Sequence, residues 1–205
     1  MKKMALVLAA VLASGMVLTA CGGSGNGAKE TTGNQASTTT TTTGGLDLAV
    51  QIGPDPETVD PALNTAIDAS NVILHAFETL LTFDENNDIV PGQAESFDVS
   101  DDGLTYTFHL RDGLKWSDGS DFTAEDFVYS WKRLADPMTA APYAADMLSM
   151  VKGYDEAAAG DIDALGVSAP DAKTLVVELS SPCVYFDKII THASMAPVKK
   201  DVVDA

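Results

Sequence analysis

Residues 22–45 set the limits on what this chain can fold. They are almost entirely Gly, Thr, Ser and Asn, with an unbroken run of threonine from Thr38 to Thr43. Such a stretch has no apolar face to bury and is expected to stay disordered. Treated as a random coil, it reaches roughly 27 Å from end to end. It separates two segments of different character. In front lies a short apolar run. Behind lie the 160 residues from Leu46 to Ala205, enough for one domain with its own core.

The front segment reads as an export signal. Lys2 and Lys3 precede Met4–Val17, which is 14 residues long and carries no charge. A bilayer-spanning helix needs about 20 apolar residues. A run of this length instead fits the h-region of a secretory signal, with the lysines as its n-region. Leu18-Thr19-Ala20-Cys21 then resembles the bacterial lipobox. In signals of that kind the peptide is cut before the cysteine and the thiol receives a diacylglycerol, and two acyl chains anchor stably where one is marginal. The resemblance implies a signal peptide over 1–20, a lipidated Cys21 and a tether over 21–45. The domain over 46–205 would then sit on the extracytoplasmic face of the cell membrane. The alternatives are an ordinary signal peptide with an incidental Cys21, or an uncleaved anchor helix.

Charge and cysteine content exclude several function classes. Without Lys2 and Lys3 the chain has 10 basic residues against 30 acidic ones, a charge of −20. Nucleic-acid binding needs a basic footprint that is missing here, and attraction to anionic lipid headgroups is disfavoured for the same reason. The one other cysteine, Cys183, lies in the apolar stretch Pro182-Cys183-Val184-Tyr185-Phe186 and reads as a buried small hydrophobe.

Within 46–205 the periodicity alternates between strand and helix. Leu46–Ile52 places apolar residues at every second position, a strand signal stopped by Gly53-Pro54-Asp55-Pro56. A helix capped by Asp68 or Ser70 is expected to run to about Leu81, with Ile73, Leu74, Phe77, Leu80 and Leu81 on one face. Asp84–Asp88 lacks the glycine and terminal glutamate of an EF-hand loop and reads as a solvated turn. Phe97–Val99 and Leu104–Leu110 form an expected hairpin around Ser100-Asp101-Asp102-Gly103. Its second strand sets Leu104, Tyr106, Phe108 and Leu110 on one face, with His109 on the more polar one. Thr123-Ala124-Glu125-Asp126 resembles a capping box. The helix it opens is expected to bury Phe127, Val128, Trp131 and Leu134 and to end before Pro137. A further helix is expected from about Pro142 to Gly153. Strands are expected over Ile162–Val167 and Thr174–Leu179, and a last helix carries Tyr185, Phe186, Ile189 and Ile190. Strands and helices interspersed without a βαβ rhythm predict a mixed α/β or α+β domain. There is no phosphate loop after a strand, no zinc spacing and no nucleophile elbow, so neither an enzyme nor a cofactor is expected.

Several longer stretches carry a family resemblance. Ala94-Glu95-Ser96-Phe97 and Asp102–Gly113 are followed by Lys115-Trp116-Ser117-Asp118-Gly119 and Phe122–Trp131. Together they look like the signature of the family 5 extracellular solute-binding proteins. Arg133–Ala144, Leu165-Gly166-Val167, Ser181-Pro182 and Tyr185-Phe186 extend the likeness over nearly all of residues 46–200, toward the oligopeptide-binding members of ABC importers. The resemblance implies a periplasmic-binding-protein-like fold of type II, two-lobed and closing on its ligand by a hinge. Peptide would lie extended between the lobes, bound through its main chain as an added strand would be. Roomy, hydrated pockets would take its side chains.

By position after Asp60-Pro61, the resemblance implies that Thr65, Ala66 and Ile67 run beside the ligand. Thr65 replaces an acidic residue of the oligopeptide binders. By its preserved neighbours Pro142 and Ala144, Tyr143 is implied as a ligand contact, an amphipathic ring suited to a wet cleft. The alternatives are a plain surface loop and a core tyrosine. Family members are longer, so the chain is expected to be an N-terminal part, the first lobe without the second, and by itself to show no measurable peptide affinity. The implied partners are an oligopeptide, the permease subunits of an importer and the membrane through Cys21, with the protein itself a monomer. A dipeptide, oligosaccharide or nickel-chelate binder of the same family, or a short surface lipoprotein with an interaction role, remain as alternatives.

Overall fold

The computed structural model describes residues 49–51 and 53–205. The expected signal peptide, Cys21 and the tether lie outside the described residues, as does most of the strand expected over Leu46–Ile52. Residues 49–51 of that strand take no regular structure: they have no ladder partner among the described residues, and Val50 is exposed. No described helix is long and apolar enough to cross a membrane.

Helix α1 covers Ile67–Ala76, shorter than the periodicity predicts. Neither Asp68 nor Ser70 caps it. Ala66 is the N-cap, its N–H donated to Asn64 Oδ1 at 2.9 Å. The helix stops because the next residues are taken up by β-pairing: the Leu80 carbonyl accepts from the N–H groups of Gly92 and Ala94, and the Thr79 carbonyl accepts from Gln93. Gly92 permits that approach, since a Cβ there would lie 2.4 Å from the Thr79 carbonyl oxygen. Leu80 and Leu81 are buried as expected, but from the strand rather than the helix, whereas Leu74 is exposed.

Strands β1 (Leu81–Phe83) and β2 (Ile89–Pro91) form a small hairpin. Asp84 organises its turn, accepting at Oδ1 from the N–H groups of Asn86 and Asp88 at 2.8 and 2.9 Å. Strands β3 (Ala94–Val99) and β4 (Thr105–Leu110) form the second hairpin, in register Phe97 to Phe108. Tyr106, Phe108 and Leu110 are buried while Thr105, Thr107 and His109 are partly exposed, the alternation read in the sequence.

Helix α2 (Ala124–Ala135) opens as predicted: Thr123 N–H donates to Asp126 Oδ2 at 2.8 Å. It buries Phe127, Val128, Trp131 and Leu134 and ends before Pro137. Of the helix expected from Pro142 to Gly153 only α3 (Ala144–Leu148) forms, and a second short helix, α4 (Tyr154–Ala158), begins where that one was expected to stop. Gly153 divides them with φ +75°, and a Cβ there would meet the Ala164 carbonyl oxygen at 1.9 Å. Ile162–Ala164 is a 3-10 turn, so the strand expected from Ile162 begins only at Val167. Strands β5 (Val167–Asp171) and β6 (Thr174–Glu178) complete a four-stranded antiparallel sheet of order β3-β4-β6-β5. Short helices α5 (Phe186–Ile189) and α6 (Lys200–Val203) flank a 3-10 turn at Ala193–Met195.

The core lies between the sheet and α2. Tyr106, Phe108, Leu175 and Val177 face it from the strands. Phe122, Phe127 and Trp131 continue it as an aromatic row with centroids 5.6 and 6.2 Å apart. Each such side chain contributes about 1.5–3 kcal/mol by leaving water. Two aromatic polar handles inside the core are satisfied: Trp131 Nε1–H donates to the Met195 carbonyl and Tyr106 O–H to that of Cys183, each at 3.0 Å. Cys183 is buried and free, as read from its apolar context.

Candidate functional site

The loop before α1 is shaped by one aspartate. Asp60 accepts at its carbonyl from the N–H groups of Leu63 and Asn64, and at Oδ1 from Ala62 N–H. Pro61 and Ala62 behind it are buried. Asn64 is only 2% exposed and bridges forward: Oδ1 accepts from Ala66 N–H and Nδ2 donates to Ser70 Oγ at 2.8 Å. Ser70 Oγ in turn donates to the Ala66 carbonyl at 3.1 Å.

Between these tied points stands Thr65. It is exposed, and its main-chain N–H and C=O make no hydrogen bond to any described residue. Two residues on, Ile67 is 82% exposed and begins the first turn of α1, where N–H groups have no partner inside the helix. This edge therefore offers an unpaired donor and acceptor at Thr65, next to open helix-start donors.

The edge faces a cleft of about 320 Å³ lined by Leu63, Asn64, Thr65 and Ala66 on one side and Pro142 on the other. Of the residues singled out in the sequence, Thr65 and Ala66 thus meet the neighbour of Tyr143 across an open space. Ile67 does not line that cleft and is exposed beside it. Tyr143 is partly exposed rather than a core residue. It takes the N-cap position of α3, and its ring meets that of His192 edge to face. His192 Nδ1 accepts from Ser194 N–H at 3.2 Å, and burial lowers the imidazole below the ordinary histidine value.

Three contributors escape a sequence reading. Arg133, on the last turn of α2, holds Asp60 with both terminal nitrogens, Nη1 to Oδ1 at 3.0 Å and Nη2 to Oδ2 at 2.6 Å. The Asp60 carboxylate pushes that guanidinium above its usual range. His192 is the second, and Asn64 the third. Only Asn64 carried a local signal, an Asx turn closing two residues ahead.

A larger cleft of about 730 Å³ opens between Phe77, Gln93, Arg111 and Trp116 and holds none of the expected residues. Arg111 is paired there with Glu78. No cluster of three or more metal-capable side chains occurs among the described residues.

The pattern of the bacterial extracellular solute-binding proteins, family 5 Middle, matches residues 88–205. The chain is 43% identical over 155 residues to the periplasmic oligopeptide-binding protein of Escherichia coli (strain K12), covering 74% of this chain and 28% of that protein. It is 33% identical over 206 residues to the oligopeptide-binding protein of Bacillus subtilis (strain 168), covering all of this chain and 36% of that one. The chain therefore spans about a third or less of the length of these curated relatives. Among solved structures, it resembles the oligopeptide-binding protein of Haemophilus influenzae crystallised in complex with RPPGFSPFR. The TM-score is 0.72 and the identity 40%, over 75% of this chain and 30% of that one. The mixed α/β architecture is thus that of the periplasmic-binding-protein-like fold.

Proposed function

The chain belongs to the bacterial extracellular solute-binding proteins of family 5, and on that premise we propose that it captures oligopeptides outside the cytoplasmic membrane as the substrate-binding component of an ABC importer. It is a binder rather than an enzyme. Residues 49–205 supply one wall of the peptide cleft.

The observation that carries this reading is the main chain of Thr65, unpaired among the described residues, at an open cleft. A donor and an acceptor on one exposed residue suit the main chain of an extended peptide, which presents the same groups in alternation whatever its side chains. Ala66 and Ile67 continue that edge into the start of α1. Tyr143, next in sequence to the cleft-lining Pro142 and partly exposed, offers an amphipathic ring for a further ligand contact. That the relatives above are named as oligopeptide-binding proteins supports the ligand class. Cys21 holds the protein to the membrane by lipid, and the importer's permease is its partner there.

Calorimetry tests the reading. The full-length protein, purified from the cells that make it, is titrated with pooled tri- to pentapeptides, and saturable heat is expected, whereas residues 46–205 alone should give none. An ester replacing the ligand amide that faces Thr65 removes one hydrogen-bond donor and should weaken binding about tenfold. Saturable heat with an oligosaccharide or nickel chelate, and none with peptides, overturns it.

A further inference from the structure

The loop that presents Thr65 has one polar tie to the body of the domain. Its other hydrogen bonds are local. They join Thr58, Asp60, Ala62, Leu63, Asn64, Ala66 and Ser70 to one another. Among the described residues, the two bonds from Arg133 to Asp60 alone cross from this loop to another element by hydrogen bonding. Arg133 sits between Trp131 and Leu134, which are both buried, so its backbone is fixed by the core. Both partners are themselves largely withdrawn from water, with side-chain exposures of 15% for Arg133 and 24% for Asp60.

The geometry points to Arg133 and Asp60 as a positioning pair for ligand capture, an inference that rests on the peptide-binding reading. The fork of the guanidinium fixes the plane of the Asp60 carboxylate as well as its place, which a point charge could not do. The same Oδ1 that Arg133 holds also accepts from Ala62 N–H, and the Asp60 carbonyl accepts from Asn64 N–H. Asn64 Oδ1 then accepts from Ala66 N–H. A tilt of the carboxylate therefore passes through Ala62 and Asn64 to both neighbours of Thr65. The pair touches no ligand. It decides which way the free N–H and C=O of Thr65 point.

The test is a cycle between a protein change and a ligand change. Arg133→Lys keeps the charge and loses the fork. Amide and ester peptides are titrated into wild type and variant, and folding is followed by circular dichroism. Wild type should show the ester penalty. Arg133→Lys should bind the amide peptide about tenfold more weakly and show little remaining ester penalty, because Thr65 no longer meets the ligand squarely. A variant that merely loosened the domain would weaken both ligands alike and keep their ratio. A folded Arg133→Lys protein with wild-type affinity and the full ester penalty overturns the inference. If Arg133→Lys does not fold, Asp60→Asn decides in the same way, since Oδ1 can still accept from Ala62 while the ion pair is gone. Failure of wild type to bind any peptide overturns the peptide-binding reading itself, a separate outcome from failure of the positioning pair.

Discussion

His192 packs its imidazole against the edge of Tyr143, ring centroids 5.6 Å apart and planes at 77°. Its Nδ1 is an acceptor for Ser194 N–H, so the neutral ring carries its proton on Nε2. Burial disfavours the charged form and lowers the pKa below the ordinary 6.5. A group whose folded value is depressed in this way binds fewer protons folded than unfolded just below pH 6.5. Its contribution to stability is complete above that pH and is lost as the pH falls through the window below it, down to the folded value. A titration of the His192 ring protons by NMR should give a midpoint below 6.5, with the Tyr143 ring signals moving in step. A midpoint at or above 6.5 would contradict the packing described.

The indole of Trp131 combines a fully buried ring with a donor to the Met195 carbonyl. Trp131→Ala should cost about 3–5 kcal/mol in urea unfolding. Trp131→Phe retains most of the ring but leaves that carbonyl without its donor, and should cost about 1–3 kcal/mol. A Trp131→Phe protein as stable as the wild type would mean that the hydrogen bond contributes nothing of its own.

Gly153 and Gly113 have almost the same backbone, φ +75° and +76°. Their surroundings differ: a Cβ at 153 would strike the Ala164 carbonyl, whereas nothing lies within 4 Å of one at 113. Gly113→Ala should cost about 1–2 kcal/mol, the strain of the left-handed backbone alone. Gly153→Ala should cost more, because the turn at Ile162–Ala164 must also move. Melting curves of the two single variants compare them directly, and equal shifts would show that the contact is easily relieved.

Cys21→Ser should release the protein from the membrane into the soluble fraction. Metabolic labelling with palmitate should mark the wild type and not the variant. Retention of the serine variant in the membrane pellet would favour an uncleaved apolar anchor over a lipid.

Much of this architecture was legible because its causes are local. The box at Thr123 and Asp126 closes within four residues, and the alternation from Thr105 to Leu110 needs only the period of a strand. Helix α1 was misjudged for an equally physical reason. Leu80 and Leu81 continue its apolar spacing, yet they are buried from the extended chain at the start of β1, where the Leu80 carbonyl accepts from Gly92 and Ala94. The helix expected from Pro142 closes early at Leu148 because Val151 bridges to Leu179, a distant partner that no local pattern reveals. In the candidate site, only family likeness points to Thr65, Ala66, Ile67 and Tyr143 as ligand contacts. The tie between Asp60 and Arg133 spans 73 positions and has no periodicity to betray it.

The order β3-β4-β6-β5 has a kinetic consequence. The sheet consists of two hairpins, each closed by a short turn, joined along the seam between β4 and β6. Everything from Arg111 to Lys173, including α2, lies in the loop which that seam must close. Local pairing is fast and long loop closure is slow. The hairpins should therefore form early and wait, with Phe108 and Leu175 uncovered on facing edges, until α2 condenses over them and the seam zips shut.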